Sequence, residues 1–98
     1  MATLDMALDA WPGGAEADWH GLHLDVTRAD ERHNGVDWEG WSYSVYAVTQ
    51  AETTPALVAC DNADTRDDLL VALAAPPVSL PADFVGWYWT DYRGQRHD

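Results

Sequence analysis

Leu22-His23-Leu24-Asp25-Val26-Thr27 and Trp41-Ser42-Tyr43-Ser44-Val45-Tyr46-Ala47-Val48, with Asn34-Gly35 between them, decide the fold of this chain. In the first stretch Leu22, Leu24 and Val26 alternate with His23, Asp25 and Thr27. In the second, Trp41, Tyr43, Val45 and Ala47 alternate with Ser42, Ser44, Tyr46 and Val48. A period of two marks a half-buried strand, and Asn-Gly between two such runs is a strong type I′ turn signal. If Asn34-Gly35 is a two-residue turn, the register follows: Leu22 faces Ala47, Leu24 faces Val45, Val26 faces Tyr43, Arg28 faces Trp41, Asp30 faces Glu39 and Arg32 faces Asp37. Both apolar sets then share a face without adjustment. A one-residue slip would set each against the other strand's outer face. The tip, Ala29 to Gly40, is expected to be looser than a regular ladder.

Upstream, Leu4, Ala7, Leu8 and Trp11 form one apolar stripe on a short helix, which Thr3 caps and Pro12-Gly13-Gly14 stops. Residues 12–18 read as a loop. Downstream, Thr53-Thr54-Pro55 breaks the chain. The apolar run Ala56–Cys60 reads as a third, more buried strand, with Cys60 a small buried hydrophobe. Asp64 is the expected N-cap of a second helix, with Asp67 in a capping-box position and Asp67 and Asp68 near the positive end of its dipole. Leu69, Leu70 and Leu73 are its buried stripe, and Pro76-Pro77 ends it. The run from Phe84 to Tyr92 carries aromatics on both faces and reads as a strand covered at least partly on each side, while Arg93–Asp98 reads as a frayed tail. The order α-β-β-β-α-β predicts an α+β fold: a small antiparallel-dominated sheet of about four strands with one or two helices packed on one face.

The 98 residues make one domain, 1–98, with 47% hydrophobic content, too much for a disordered chain despite a net charge of −12. A single cysteine rules out a disulfide within the chain. The N-terminal residues lack the basic and apolar regions of a signal peptide, and no stretch approaches the ~18 apolar residues of a membrane span. A cytoplasmic setting is expected.

Few residues point to chemistry. His20-x-x-His23 with Asp25 suggests a metal site, but on a strand the two histidines point to opposite faces, so scattered surface histidines are the better reading. Asp61, Asn62 and Asp64 miss the calcium-loop spacing and its glycine. No nucleophile elbow or phosphate-binding loop is present. No cofactor, metal or catalytic residue is assigned, and the chain is not expected to be an enzyme.

Charge is the most unusual feature: 13 Asp and four Glu stand against five Arg and no Lys. The acids cluster at the hairpin tip (Asp30, Glu31, Asp37, Glu39), around the start of the second helix (Asp61, Asp64, Asp67, Asp68) and near the N-terminus (Asp5, Asp9, Glu16, Asp18). Trp38, among the tip acids, is the aromatic least suited to a core. Such a surface repels bare nucleic acid and anionic membranes and attracts basic proteins, although a GC-rich genome or a high-salt cytoplasm also favours a Lys-free composition. The expected partner is a basic, nucleic-acid-binding protein or complex, met through Asp30, Glu31, Asp37, Trp38, Glu39, Asp64, Asp67 and Asp68. Phage-encoded anti-restriction and anti-CRISPR proteins are similar in class, being short, acidic and free of catalytic motifs, though no aligned motif is shared. The alternative is a protein-interaction module with aromatic anchors, an immunity-type protein or a homodimer that pairs its C-terminal aromatic strand, Trp87 to Tyr92, as a sheet edge. A small-molecule binder using the aromatic sheet face is a third, weaker reading.

Overall fold

The structure is a computed structural model that describes residues 2–33, 36–48 and 56–98; of residues 31–33 and 36–38 it describes the backbone alone. The expected hairpin is its central feature. Strands β2 (Leu22–His33) and β3 (Val36–Ala47) pair antiparallel with Leu24 opposite Val45, Val26 opposite Tyr43, Arg28 opposite Trp41 and Asp30 opposite Glu39. The ladder continues regularly to His33 opposite Val36, so the backbone of the tip is not loosened in the way expected. The Asn34-Gly35 turn and the Thr53-Thr54-Pro55 break lie outside the described residues.

The hairpin is flanked by β1 (Gly14–Trp19) on β2 and by β4 (Ala56–Ala63) on β3, giving a four-stranded antiparallel sheet in the order β1-β2-β3-β4. Helices α1 (Leu4–Ala10) and α2 (Arg66–Ala74) bury Leu4, Ala7, Leu8, Leu69 and Leu73 in the same core as Ala15, Ala17, Leu24, Val26 and Val45. The protein is thus a small α+β fold with its helices on one face of an antiparallel sheet.

Residues 12–18, expected as loop, supply most of β1. Its Ala15 and Ala17 are buried while Glu16 and Asp18 face the other way. Alanine and acidic residues have low strand propensity, so the alternation is easily missed, and it is pairing with β2 that makes the segment a strand. His20 (φ 47°) and Gly21 (φ 77°) between them form the tight turn, both at the positive φ that a type I′ hairpin needs. Gly14 is required for a different reason: a Cβ there would stand 2.3 Å from the Val26 carbonyl oxygen.

The strand from Ala56 is longer and less buried than expected. It is the sheet's edge, so its apolar run is not enclosed on two sides: Leu57 is 57% exposed, Val58 40%, and Cys60 is exposed as well. A register shift between Val45 and Tyr46 leaves Val58 unpaired as a bulge. The second helix is capped one residue later than expected. Thr65 is the N-cap, its hydroxyl accepting from the Asp68 amide at 3.1 Å, because Asp64 follows directly on the end of β4. Thr3 caps α1 as expected, accepting from the Met6 amide at 3.3 Å.

The C-terminal run does not form one continuous strand and is covered only in part, with Val85 46% and Tyr92 81% exposed; nor is Trp87 to Tyr92 a free edge, as the alternative reading has it, because Tyr88 is already paired with β1. Trp87 is buried at 1% exposure, and Tyr88 exchanges two backbone hydrogen bonds with Glu16 at 2.7 and 2.8 Å, closing the outer edge of β1. The tail is not frayed: β5 (Trp89–Thr90) pairs with β6 (Arg96–His97). Asp91 holds the turn, its Oδ1 accepting from the amides of Arg93 (2.9 Å) and Gln95 (3.0 Å), with His97 Nε2 2.9 Å from Oδ2. Trp89 stacks between Trp11, 5.1 Å away, and His97, 4.0 Å away.

Burial ranks the consequences of substitution. Leu24→Ala, at a fully enclosed site, is expected to lower unfolding free energy by about 2–5 kcal/mol. Cys60→Ser, at an exposed edge position, is expected to change it by less than about 0.5 kcal/mol. Urea unfolding of the two variants against the unmodified chain checks both.

Candidate functional site

Asp5 and Asp9 of α1, Glu39 of β3 and Arg66 of α2 are drawn to one end of the sheet. The order of construction starts at Trp41 on β3, which pairs with Ala63, the last residue of β4. That pairing places the start of α2 beside Trp41, and the β2–β3 ladder continues past it to His33 opposite Val36. Trp41 is 4% exposed. The Arg66 guanidinium lies 5.6 Å and that of Arg28 5.1 Å from its ring centre. Each such cation–aromatic contact contributes about 0.5–2 kcal/mol, depending on how dry it is.

The two arginines then gather carboxylates. Arg28 Nη2 donates to Glu39 Oε2 at 3.1 Å. Arg66 Nη1 donates to Asp9 at 2.8 Å and lies 3.7 Å from Asp5, tying α1 to α2. Asp30 is opposite Glu39 in the ladder, and Asp64, Asp67 and Asp68 follow in the chain where β4 passes into α2. The two like charges that face each other, Asp30 and Glu39, would destabilise the ladder on their own; Arg28, two residues before Asp30 on the same face, offsets that repulsion through its bond to Glu39. Three carboxylates thus pair with the two guanidinium groups, and those of Asp5, Asp9 and Glu39 remain 58%, 71% and 65% exposed even so.

Of the residues expected at the site, Glu39 is joined to it through Arg28, Asp30 is opposite Glu39 in the ladder, and Asp64, Asp67 and Asp68 lie at the start of α2. Asp5 and Asp9, which were not assigned to it, belong there through Arg66. The side chains of Glu31, Asp37 and Trp38 lie outside the described residues; in backbone register Glu31 is opposite Trp38 and Asp37 opposite Arg32.

The other two N-terminal acids, Glu16 and Asp18, go to the far face of the sheet. There His23 is held between them, Nδ1 2.9 Å from Asp18 and Nε2 3.2 Å from Glu16, and Thr90 Oγ1 donates to Glu16 at 3.3 Å. His20 is turned away at the hairpin corner, edge-on to Trp19, so the two histidines do not converge. Among the described residues no group of three or more His, Cys, Asp or Glu side chains is placed to hold a metal ion. Burial works against the His23 imidazolium, but the hydrogen bond and charge of Asp18, with those of Glu16, outweigh it and raise the His23 pKa above its ordinary 6.5. Asp25 beside it is raised by burial and by the Glu16 charge.

No protein-family model, no curated protein and no solved structure matches this chain.

A histidine with a raised folded-state pKa adds stability that is complete below its unfolded pKa and is lost as pH rises through the folded value. The urea midpoint is therefore expected to fall as pH is taken upward from about 6. His23→Gln, which keeps hydrogen-bonding capacity without the charge, should flatten that part of the profile. An identical slope in the variant would remove His23 as its source.

Proposed function

We propose that this chain is a small acidic binding protein that acts by occupying a basic, nucleic-acid-binding surface of a partner protein, in the manner of the DNA-mimicking inhibitors that counter restriction or CRISPR systems. The observation that supports the reading is the gathering of Asp5, Asp9 and Glu39, from distant stretches of sequence, around Arg28 and Arg66 on Trp41.

Charge density supports it. Spread along the 45 Å long axis, the net charge of −12 averages about one negative charge per 4 Å. One strand of duplex DNA presents about one per 3.4 Å. Lys and Arg placed to meet a phosphate backbone therefore find a comparable density of carboxylates here, on a scaffold whose sheet holds them in fixed order. The same charge keeps the chain off free nucleic acid and anionic membranes. Asp30, Glu31, Asp37, Glu39, Asp64, Asp67 and Asp68 are the proposed contact acids, with Trp38 as the aromatic anchor. Arg28 and Arg66 serve the surface indirectly by fixing Glu39, Asp5 and Asp9 in place. The reading is of binding without catalysis or cofactor, in the cytoplasm; an exposed thiol, Cys60, suits a reducing compartment.

Association of this kind is steered by summed charge, so it is fast, weakens with salt and is insensitive to any single acid. Capture from lysate at 50 mM and 500 mM salt, with bound proteins identified by mass spectrometry, is expected to recover a basic nucleic-acid-binding complex that is displaced by duplex DNA and lost at the higher salt. Single changes such as Asp67→Asn should weaken capture less than about threefold. Joint neutralisation of Asp30, Glu39, Asp64, Asp67 and Asp68 should weaken it by tenfold or more. Capture that survives the joint change but disappears with Trp38→Ala or Tyr92→Ala would replace the reading with an aromatic-anchored interface.

A further inference from the structure

The C-terminal segment that closes the edge of β1 leaves a cavity of about 340 Å³ beside that strand. Phe84, Val85 and Trp87 give it apolar walls, while Asp18 of β1, Arg96 and Asp98 form its rim. It shares no residue with the group around Trp41, so it stands apart from the reading given to the acidic end. Ligand sites begin at about 300 Å³ and combine apolar walls with a few fixed polar groups.

The walls are held in place. Trp87 is enclosed, and the amides of Gly86 and Trp87 both donate to the Ala2 carbonyl, at 3.0 and 2.9 Å. Phe84 stands edge-on to Trp19 and to Trp87, with ring centres 4.8 and 6.3 Å apart. Gly86 allows Phe84 that position, since a Cβ there would stand 3.1 Å from its ring.

The rim is tied down as well. The Arg96 guanidinium lies 3.7 Å from the Tyr88 ring centre, and its Nε donates to Asp98 Oδ1 at 2.8 Å. Asp18 Oδ1 is 2.9 Å from His23 Nδ1. Among the described residues nothing bonds the two Nη groups of Arg96 or the Oδ2 atoms of Asp18 and Asp98. Donors and acceptors thus stand side by side at the rim with bonding capacity left.

We propose that this cavity binds an uncharged ring bearing adjacent hydroxyl groups, as a sugar does, with its C–H face on Phe84 and Val85 and its hydroxyls between Arg96 and the rim carboxylates. Charge decides the class. Each rim carboxylate already has a basic partner, His23 or Arg96, so neither calls for a cation. An anion would meet both carboxylates on its way to Arg96. A hydroxyl both donates and accepts. Two adjacent hydroxyls can therefore accept from the planar guanidinium fork and donate to a carboxylate together. The C–H face of the same ring removes the Phe84 and Val85 surfaces from water.

Titration of the isotope-labelled chain with methyl glucoside, methyl mannoside and adenosine, followed through amide chemical shifts, tests the proposal. The first two carry the adjacent hydroxyls on a pyranose and the third on ribose, so their relative affinities identify the source of the ring. At least one is expected to move the amides of residues 84–87 and 96–98 saturably, with a Kd of about 1 mM for a ligand this small. Cyclohexanol, with a single hydroxyl, should bind at least tenfold more weakly. Arg96→Lys keeps the charge but loses the planar fork and should weaken binding tenfold or more. Arg93→Lys, outside the cavity, should leave it within about twofold. Both arginines are exposed, and unchanged shifts away from the substituted residue check that the variants fold. No saturable shift with any of the three up to about 50 mM, well above that Kd, would overturn the proposal. So would equal binding of cyclohexanol, indifference to Arg96→Lys, or tighter binding of benzylamine or benzoate at the same amides.

Discussion

Leu24 against Val45 and Val26 against Tyr43 form the pairing on which the rest of the structure depends. Side chains alternate along a strand, so this register commits a whole set of residues to one face at once. It puts Leu24, Val26 and Val45 under the helices, and in the same step puts His23, Asp25, Ser42 and Ser44 on the other face. It also aligns Arg28 with Trp41 and Asp30 with Glu39. The core and the charged end of the sheet are thus two consequences of a single alignment. A shift by one residue would remove both.

Aromatic stacking closes what that pairing begins. A chain of 98 residues has little core to spare, and the six tryptophans compensate with large contact areas. Trp87 is enclosed, with Phe84 edge-on to it and to Trp19. Trp89 lies between Trp11 and His97. Through these contacts and the bonds to Glu16, the last dozen residues brace β1, whose own alanines bury little surface. Arg96, 3.7 Å from the Tyr88 ring centre, extends the bracing to the far face.

The distribution of charge follows from the same framework. Acids that are neighbours in sequence part company: Asp5 and Asp9 turn toward Arg66, while Glu16 and Asp18 turn toward His23. Acids remote in sequence come together around Trp41. Each group contains a basic side chain, Arg66 in one and His23 in the other, that bonds its carboxylates. One edge of that sheet is closed by the C-terminus, while β4 ends the strand order on the other side.

The sequence by itself determined the central hairpin and its register, because period-two alternation on both sides of Asn34-Gly35 admits one alignment that shares an apolar face. It also determined the two helices, since their leucine spacing and cap residues act locally; even the N-cap missed only by one residue, Thr65 for Asp64. Tertiary structure decided what local patterns leave undetermined. Gly14–Trp19 is a strand because β2 and Tyr88 satisfy its backbone, against the weak propensity of Ala15-Glu16-Ala17-Asp18. Ala56–Cys60 lies on an edge and not an interior strand because, among the described residues, β4 ends the strand order, a matter that an apolar run does not encode. The tail is ordered because Asp91 hydrogen-bonds forward across its turn and Trp89 stacks on Trp11, a residue far away in sequence. The grouping of acids around Trp41 rests on Ala63 pairing with it, and a long-range pairing of that kind has no local signature.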